Sequence, residues 1–127
     1  MPIISEETIK LLNNHLNEEH YSANLYFNMA GWCSKQGLKG CAAFLNNHSA
    51  EEHTHLEKLN EFIKKVDGQP IMGAMKEPEH GFSSAEEVFE KIVKHEQYIT
   101  SLIKKLVEKA MDDKDYITLK FLDWFVN

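Results

Sequence analysis

Apolar residues along this chain recur at intervals of three and four rather than two, so the elements they predict are helices. Ser5 ahead of Glu6 and Glu7 reads as an N-cap followed by acid in a first turn, opening a helix over about 5–34. Gly37 and Gly40 bracket a short connection, after which a second helix runs over about 39–66, with Lys64 and Lys65 suited to its C-terminal dipole. The stretch "GQPIMGAMKEPEHGF" has no period and reads as a long crossover. A capping box, Ser83 with Glu86 or Ser84 with Glu87, opens a third helix over about 84–111. "DDKD" is a solvated turn, and "YITLKFLDWFVN" begins a fourth helical pattern over 113–127 that stops after about three turns. The prediction is an all-α, up-down four-helix bundle forming a single domain over 1–127, with the long crossover between helices 2 and 3 and a truncated helix 4.

Bundles pack on seams recurring every three and four residues. The first helix offers Ile9, Leu12, Leu16, Glu19, Ala23, Tyr26, Ala30 and Cys33. The second offers Cys41, Leu45, His48, Glu52, Leu56 or His55, Leu59, Ile63 and Val66. The third offers Ala85, Phe89, Ile92, Glu96, Ile99, Ile103, Leu106 and Ala110. The fourth offers Leu119, Leu122 and Val126, and would next point inward at position 129. Each of the first three seams is interrupted near its middle by one glutamate. In "HSAEEHTHLEKL", Glu52 and His55 converge one turn apart as E-x-x-H, Glu51 falls at the edge, and His53 and Thr54 turn outward. His15, His20, His48, His53, His80 and His95 are expected at the surface or packed behind these groups.

Composition narrows what could neutralise those glutamates. The 127 residues carry a formal charge of -6 and a pI near 5.6, which argues against nucleic acid or an anionic membrane as partner. No apolar run is long enough to span a bilayer and "MPIISEET" lacks the marks of a leader, so the cytoplasm is expected. Cys33 and Cys41 read as reduced, packed thiols. The chain has no arginine, and no lysine falls at the level of the glutamates on any inward seam. Three carboxylates buried at one depth cost several kcal/mol or take up protons unless a cation joins them. Structural zinc would want cysteine or more histidine, and calcium a flexible oxygen-rich loop. A carboxylate-rich pair of divalent first-row ions such as Fe(II) fits best.

The same residues resemble a known family, the bacterial non-haem ferritins, from about residue 5 to 127. The resemblance rests on "NEEHYSANLY", "FLNNHSAEEHTHLEKL", "VKHEQYITSLI" and "FLDWFVN". It implies a ferritin-like bundle in which Glu19, Glu52, His55 and Glu96 hold the two irons, with Glu52 bridging. It further implies Tyr26 beside that centre and Glu51 near a third iron. The implied activity is ferroxidase: Fe(II) oxidised by dioxygen or hydrogen peroxide, with ferric mineral stored in a 24-subunit homo-oligomeric shell. In that family the fourth helix continues past "FLDWFV" and adds metal-binding side chains. The chain is therefore expected to be a ferritin whose C-terminal part is absent here, with iron binding and shell formation impaired in the 127-residue form. Haem is not expected: His53 stands where the haem-containing relatives carry their methionine. DNA-protecting mini-ferritins are disfavoured, since the ligands here lie within one bundle. The alternative from another class is a truncated ferritin-like bundle with a vestigial metal site, serving as a structural or interaction protein.

Overall fold

Ser5 and Ser84 set the starts of the two helices they precede: Ser5 Oγ accepts the Thr8 N–H at 3.1 Å, and Ser84 Oγ the Glu87 N–H at 3.1 Å. Of the two N-caps the sequence allows, Ser84 is used; the Glu87 carboxylate accepts from the N–H and hydroxyl of Ser83, one residue before the cap, so only the serine half of a capping box is made. The computed structural model describes residues 2–126 and contains α1 (Glu6–Lys35), α2 (Lys39–Lys65), α3 (Ala85–Asp112) and α4 (Tyr116–Val126). Among the described residues there is no strand. Helix α4 begins later than the pattern suggests because Asp115 caps it, accepting the Thr118 N–H at 3.0 Å and its hydroxyl at 2.5 Å. Asn127, the end of the expected fourth helix, lies outside the described residues.

The first three helices end in the same way, through a left-handed residue followed by paired bonds back to the last turn. Gly37 takes that position after α1 at φ 80°, with the Leu38 N–H bonded to the Cys33 carbonyl at 2.9 Å. Asp67 takes it after α2 and Lys114 after α3, at φ 64° and 54°. "DDKD" is thus a helix stop and a helix start fused into one turn.

Contacts at the helix ends fix their directions. Ile3 N–H donates to the Val66 carbonyl at 2.9 Å and Lys109 Nζ lies 3.0 Å from Glu7, so α2 and α3 both finish where α1 starts. At the other end Trp32 meets Phe82 and Phe44 meets Phe89, with ring centroids 5.8 and 6.2 Å apart. Helices α2 and α3 are therefore parallel, and α1 packs antiparallel between them. The crossover must return the chain along the whole bundle, about 40 Å for a helix of α2's length, which explains why it is long.

It is tied down by a row of asparagines on the outer face of α1. Asn13 accepts the Ile71 N–H at 2.8 Å and donates to the Gln69 carbonyl at 3.0 Å. Asn17 accepts the Gly73 N–H at 2.7 Å and donates to the Ile71 carbonyl at 2.9 Å. Asn28 donates to the Pro78 carbonyl at 3.2 Å. These amides satisfy backbone groups that a strand partner would otherwise have to satisfy.

The core falls into two apolar clusters, one around Leu12, Leu16, Leu59, Ile63, Leu106 and Leu122, the other around Tyr26, Met29, Leu45, Val88 and Ile92. The inward face of α4 is Thr118, Leu122 and Phe125; of the expected seam only Leu122 is buried, while Leu119 is half-buried and Val126 exposed. The later start at Asp115 fixes this rotation.

Replacing Asn17 with alanine should cost about 1–2 kcal/mol, because two hydrogen bonds to the crossover vanish together. Chemical denaturation measures the loss, and amide exchange should accelerate at Ile71 and Gly73 while the helix cores stay protected.

Candidate metal centre

Between the two apolar clusters lies a polar layer. Antiparallel pairing of α1 with α2 brings Glu19 level with Glu52, and the E-x-x-H spacing turns His55 to the same face. His55 Nδ1 sits 3.4 Å from Glu19 Oε2 and 3.4 Å from Glu52 Oε2. On the other side of Glu52, His48 precedes it by one turn and places Nε2 3.5 Å from Glu96 Oε1. Tyr26 donates its hydroxyl to that same Glu96 oxygen at 2.5 Å. Two groups result, Glu19 with Glu52 and His55, and His48 with Glu52 and Glu96; in each, one oxygen or nitrogen per residue lies within 4.8 Å of the others. Glu52 is common to both.

Of the residues singled out from sequence, Glu19, Glu52, His55, Glu96 and Tyr26 are therefore brought together. Glu51 is exposed and belongs to neither group; His53 and Thr54 face solvent as expected. Glu19 is 1% and Glu52 6% exposed. The Glu96 side chain is 40% exposed, less interior than its seam suggests. Its outer side opens into a shallow groove lined by other α3 residues, among them Gln97, Thr100 and Lys104, whereas α4 covers the opposite end of the layer. There Phe125 packs edge-on against His15 and His55, with ring centroids 5.8 and 5.2 Å away.

His15 takes the second of the two placements expected of it, packed behind the carboxylates rather than at the surface. It is 1% exposed, with Nε2 3.0 Å from Glu19 Oε1, an approach not aligned as a hydrogen bond. The signal was available: His15 precedes Glu19 by one helical turn, as His48 precedes Glu52. His95 is half-buried, its Nε2 2.6 Å from Ser22 Oγ.

Electrostatics separate the two buried carboxylates. Burial works to raise the Glu19 pKa, but His15 and His55 beside it outweigh that and hold it well below the usual carboxylate range. Burial pushes Glu52 up to about 8, with His55 opposing and the Glu19 charge reinforcing the rise. Both carboxylates raise His55, to about 10. Burial and the Glu96 carboxylate raise the Tyr26 phenol, so it stays a hydrogen-bond donor.

Glu52 Oε2 is buried without a hydrogen-bond partner, and neither ring nitrogen of His15 has one. A buried polar atom left unsatisfied costs about 1–3 kcal/mol, so its persistence calls for an absent partner. Carboxylate oxygens and an imidazole nitrogen lying within 4.8 Å of one another fit a divalent first-row cation.

A family model described as the ferritin-like domain matches residues 9–127. The bacterial non-heme ferritin of Campylobacter jejuni is 43% identical over 125 residues, covering 98% of this chain and 75% of that protein. This chain belongs to the ferritin family. A probable bacterial non-heme ferritin-like protein of Haemophilus influenzae is 42% identical over 124 residues. Among solved structures, Chlorobium tepidum ferritin superposes with a TM-score of 0.93 at 36% identity, over 97% of this chain and 75% of that one. This ferritin chain thus spans about three quarters of the length of these relatives. None of its described helices is long and apolar enough to cross a membrane.

Both raised groups bind their proton more tightly in the folded state. The stability from Glu52 is complete below its ordinary value of 4.5 and lost as pH rises through about 8; that from His55 is complete below 6.5 and lost through about 10. Without divalent cations, the melting temperature should fall by several degrees, on the order of 5 °C, between pH 6.5 and 9. Glu52→Gln should flatten the slope; a flat wild-type profile would contradict this assignment.

Proposed function

We propose that this chain is a cytoplasmic ferritin subunit that oxidises Fe(II) and passes the ferric product to storage. Glu19, Glu52 and His55 hold one iron, and Glu52 and Glu96 contribute to a second, with Glu52 shared. The observation that carries the reading is the buried, partnerless Glu52 oxygen lying among Glu19 and His55 in a ferritin-like bundle.

Iron here is substrate. Dioxygen takes one electron from each of two Fe(II) ions and, with two protons, leaves as hydrogen peroxide; hydrogen peroxide as oxidant takes the same two electrons with two protons and leaves as two waters. The chain's own part is charge and position. Glu52 and His55 hold protons in the empty site and release them as cations enter, so each entering charge is partly offset where it binds. Tyr26 fixes one Glu96 oxygen through its hydroxyl and leaves the other carboxylate oxygen free to turn inward. Phe125 and the flanking aliphatics keep bulk water from one end of the layer, which strengthens every charge interaction inside it. The rim carboxylate of Glu51, exposed one residue before Glu52, suits a site for an ion in transit to the mineral. By family, the working form is a homo-oligomeric shell of 24 subunits. No part of the reading calls for haem.

The 40% exposure of the Glu96 side chain favours a second reading, a structural bundle with a vestigial site, and the two diverge in one experiment. Anaerobic Fe(II) titration should show saturable binding of up to two ions per chain. Air should then bring a rapid rise in near-ultraviolet ferric absorption. Glu52→Ala should lower the oxidation rate at least tenfold. Absence of saturable binding, or binding indifferent to Glu52→Ala, would favour the vestigial site.

A further inference from the structure

The two carboxylate groups differ in how they are completed, and the difference lies in His48. Along α2, His48, Glu52 and His55 form H-x-x-x-E-x-x-H, so one inward carboxylate carries an imidazole a turn before it and another a turn after it. His55 faces Glu19, while His48 faces Glu96, its Nε2 3.5 Å from Glu96 Oε1. The arrangement is close to symmetric about Glu52: a carboxylate from a neighbouring helix, the shared glutamate, and one imidazole nitrogen on each side.

His48 is held for this task. The Tyr26 ring stands edge-on to it, with centroids 5.1 Å apart and planes at 87°, and Phe44 packs on its outer side at 5.4 Å. Tyr26 therefore positions both partners at once, His48 through its ring and Glu96 through its hydroxyl. The His48 side chain is 27% exposed, enough to leave Nε2 reachable without exchanging its packing for solvent. Glu52, only 6% exposed, brings one carboxylate oxygen within 4.8 Å of the facing atoms of both His48 and Glu96.

We propose that His48 is a metal ligand: with Glu52 and Glu96 it completes the second of the two divalent-cation sites, so that each site contains one imidazole. The inference rests on the two-ion reading above and adds to it the donor set of the second ion. Nitrogen in place of a further oxygen favours first-row ions such as Fe(II), Co(II) and Zn(II) over Mg(II) at that position.

Titration with Co(II), which needs no oxidant and reports its ligands through its visible bands, tests this in the full chain. Wild type should take up two ions. His48→Ala should keep the ion between Glu19, Glu52 and His55 with affinity unchanged within about threefold, and lose the second ion's affinity at least tenfold. A measurement on the unaltered protein guards against a variant that fails to fold. Nitrogen-15 spectra of the histidine rings on adding Zn(II) should move the His48 Nε2 resonance to the metal-bound range at the second equivalent, after that of His55. Two ions bound by wild type and by His48→Ala with equal affinity, or a His48 ring unmoved at two equivalents of Zn(II), would overturn the role of His48 and leave the two-ion reading standing. Failure of wild type to bind any Co(II) would remove both.

Discussion

Everything about this bundle turns on the burial of Glu52. A carboxylate with one oxygen in no formed hydrogen bond, enclosed between two apolar clusters, is among the costlier things a small domain can contain. Apolar replacement at that position would pack the two clusters into one continuous core. The chain instead keeps a polar layer there and surrounds it with groups that ease the empty state: His55 between Glu19 and Glu52, His15 against Glu19, and a proton held on Glu52. On the proposed reading, a cation entering that layer would replace protons and give the unpartnered oxygen its partner.

The architecture serves that layer. Antiparallel α1 and α2 set Glu19 and Glu52 at one level, and parallel α2 and α3 bring Glu96 to the side of His48. The parallel relation requires a crossover as long as the bundle, and the asparagine row on α1 is what holds so long a segment without a strand partner. Helix stops at Gly37, Asp67 and Lys114 set where each helix ends, and hence the depth at which each glutamate sits. The capping serines and the polar layer are thus parts of one problem: three helices must keep register to within a turn for side chains of this reach to meet.

Much of this could be read from residue spacing. One glutamate interrupting each of three otherwise apolar seams located the layer, and E-x-x-H identified His55 among seven histidines. The helix boundaries followed from Ser5, Ser84 and the glycines. Three things were not legible. Which of its two expected placements His15 takes, surface or packed behind the carboxylates, stayed open, because periodicity gives direction to within about half a turn and cannot tell the edge of a seam from its centre. The seam of α4 was misplaced because three turns give too few repeats to fix its rotation, and the Asp115 cap that sets it is a tertiary detail. The asparagines at 13, 17 and 28 read as solvated polar residues, since nothing local reveals that a crossover lies over them.

The central claim is that the inward carboxylates and imidazoles are built around cations. Anomalous diffraction from crystals of the full chain soaked in Zn(II) tests it most directly. The account predicts two peaks inside the bundle, one among Glu19, Glu52 and His55 and one among His48, Glu52 and Glu96. Peaks confined to surface carboxylates, with the interior layer empty and Glu52 unchanged, would contradict it.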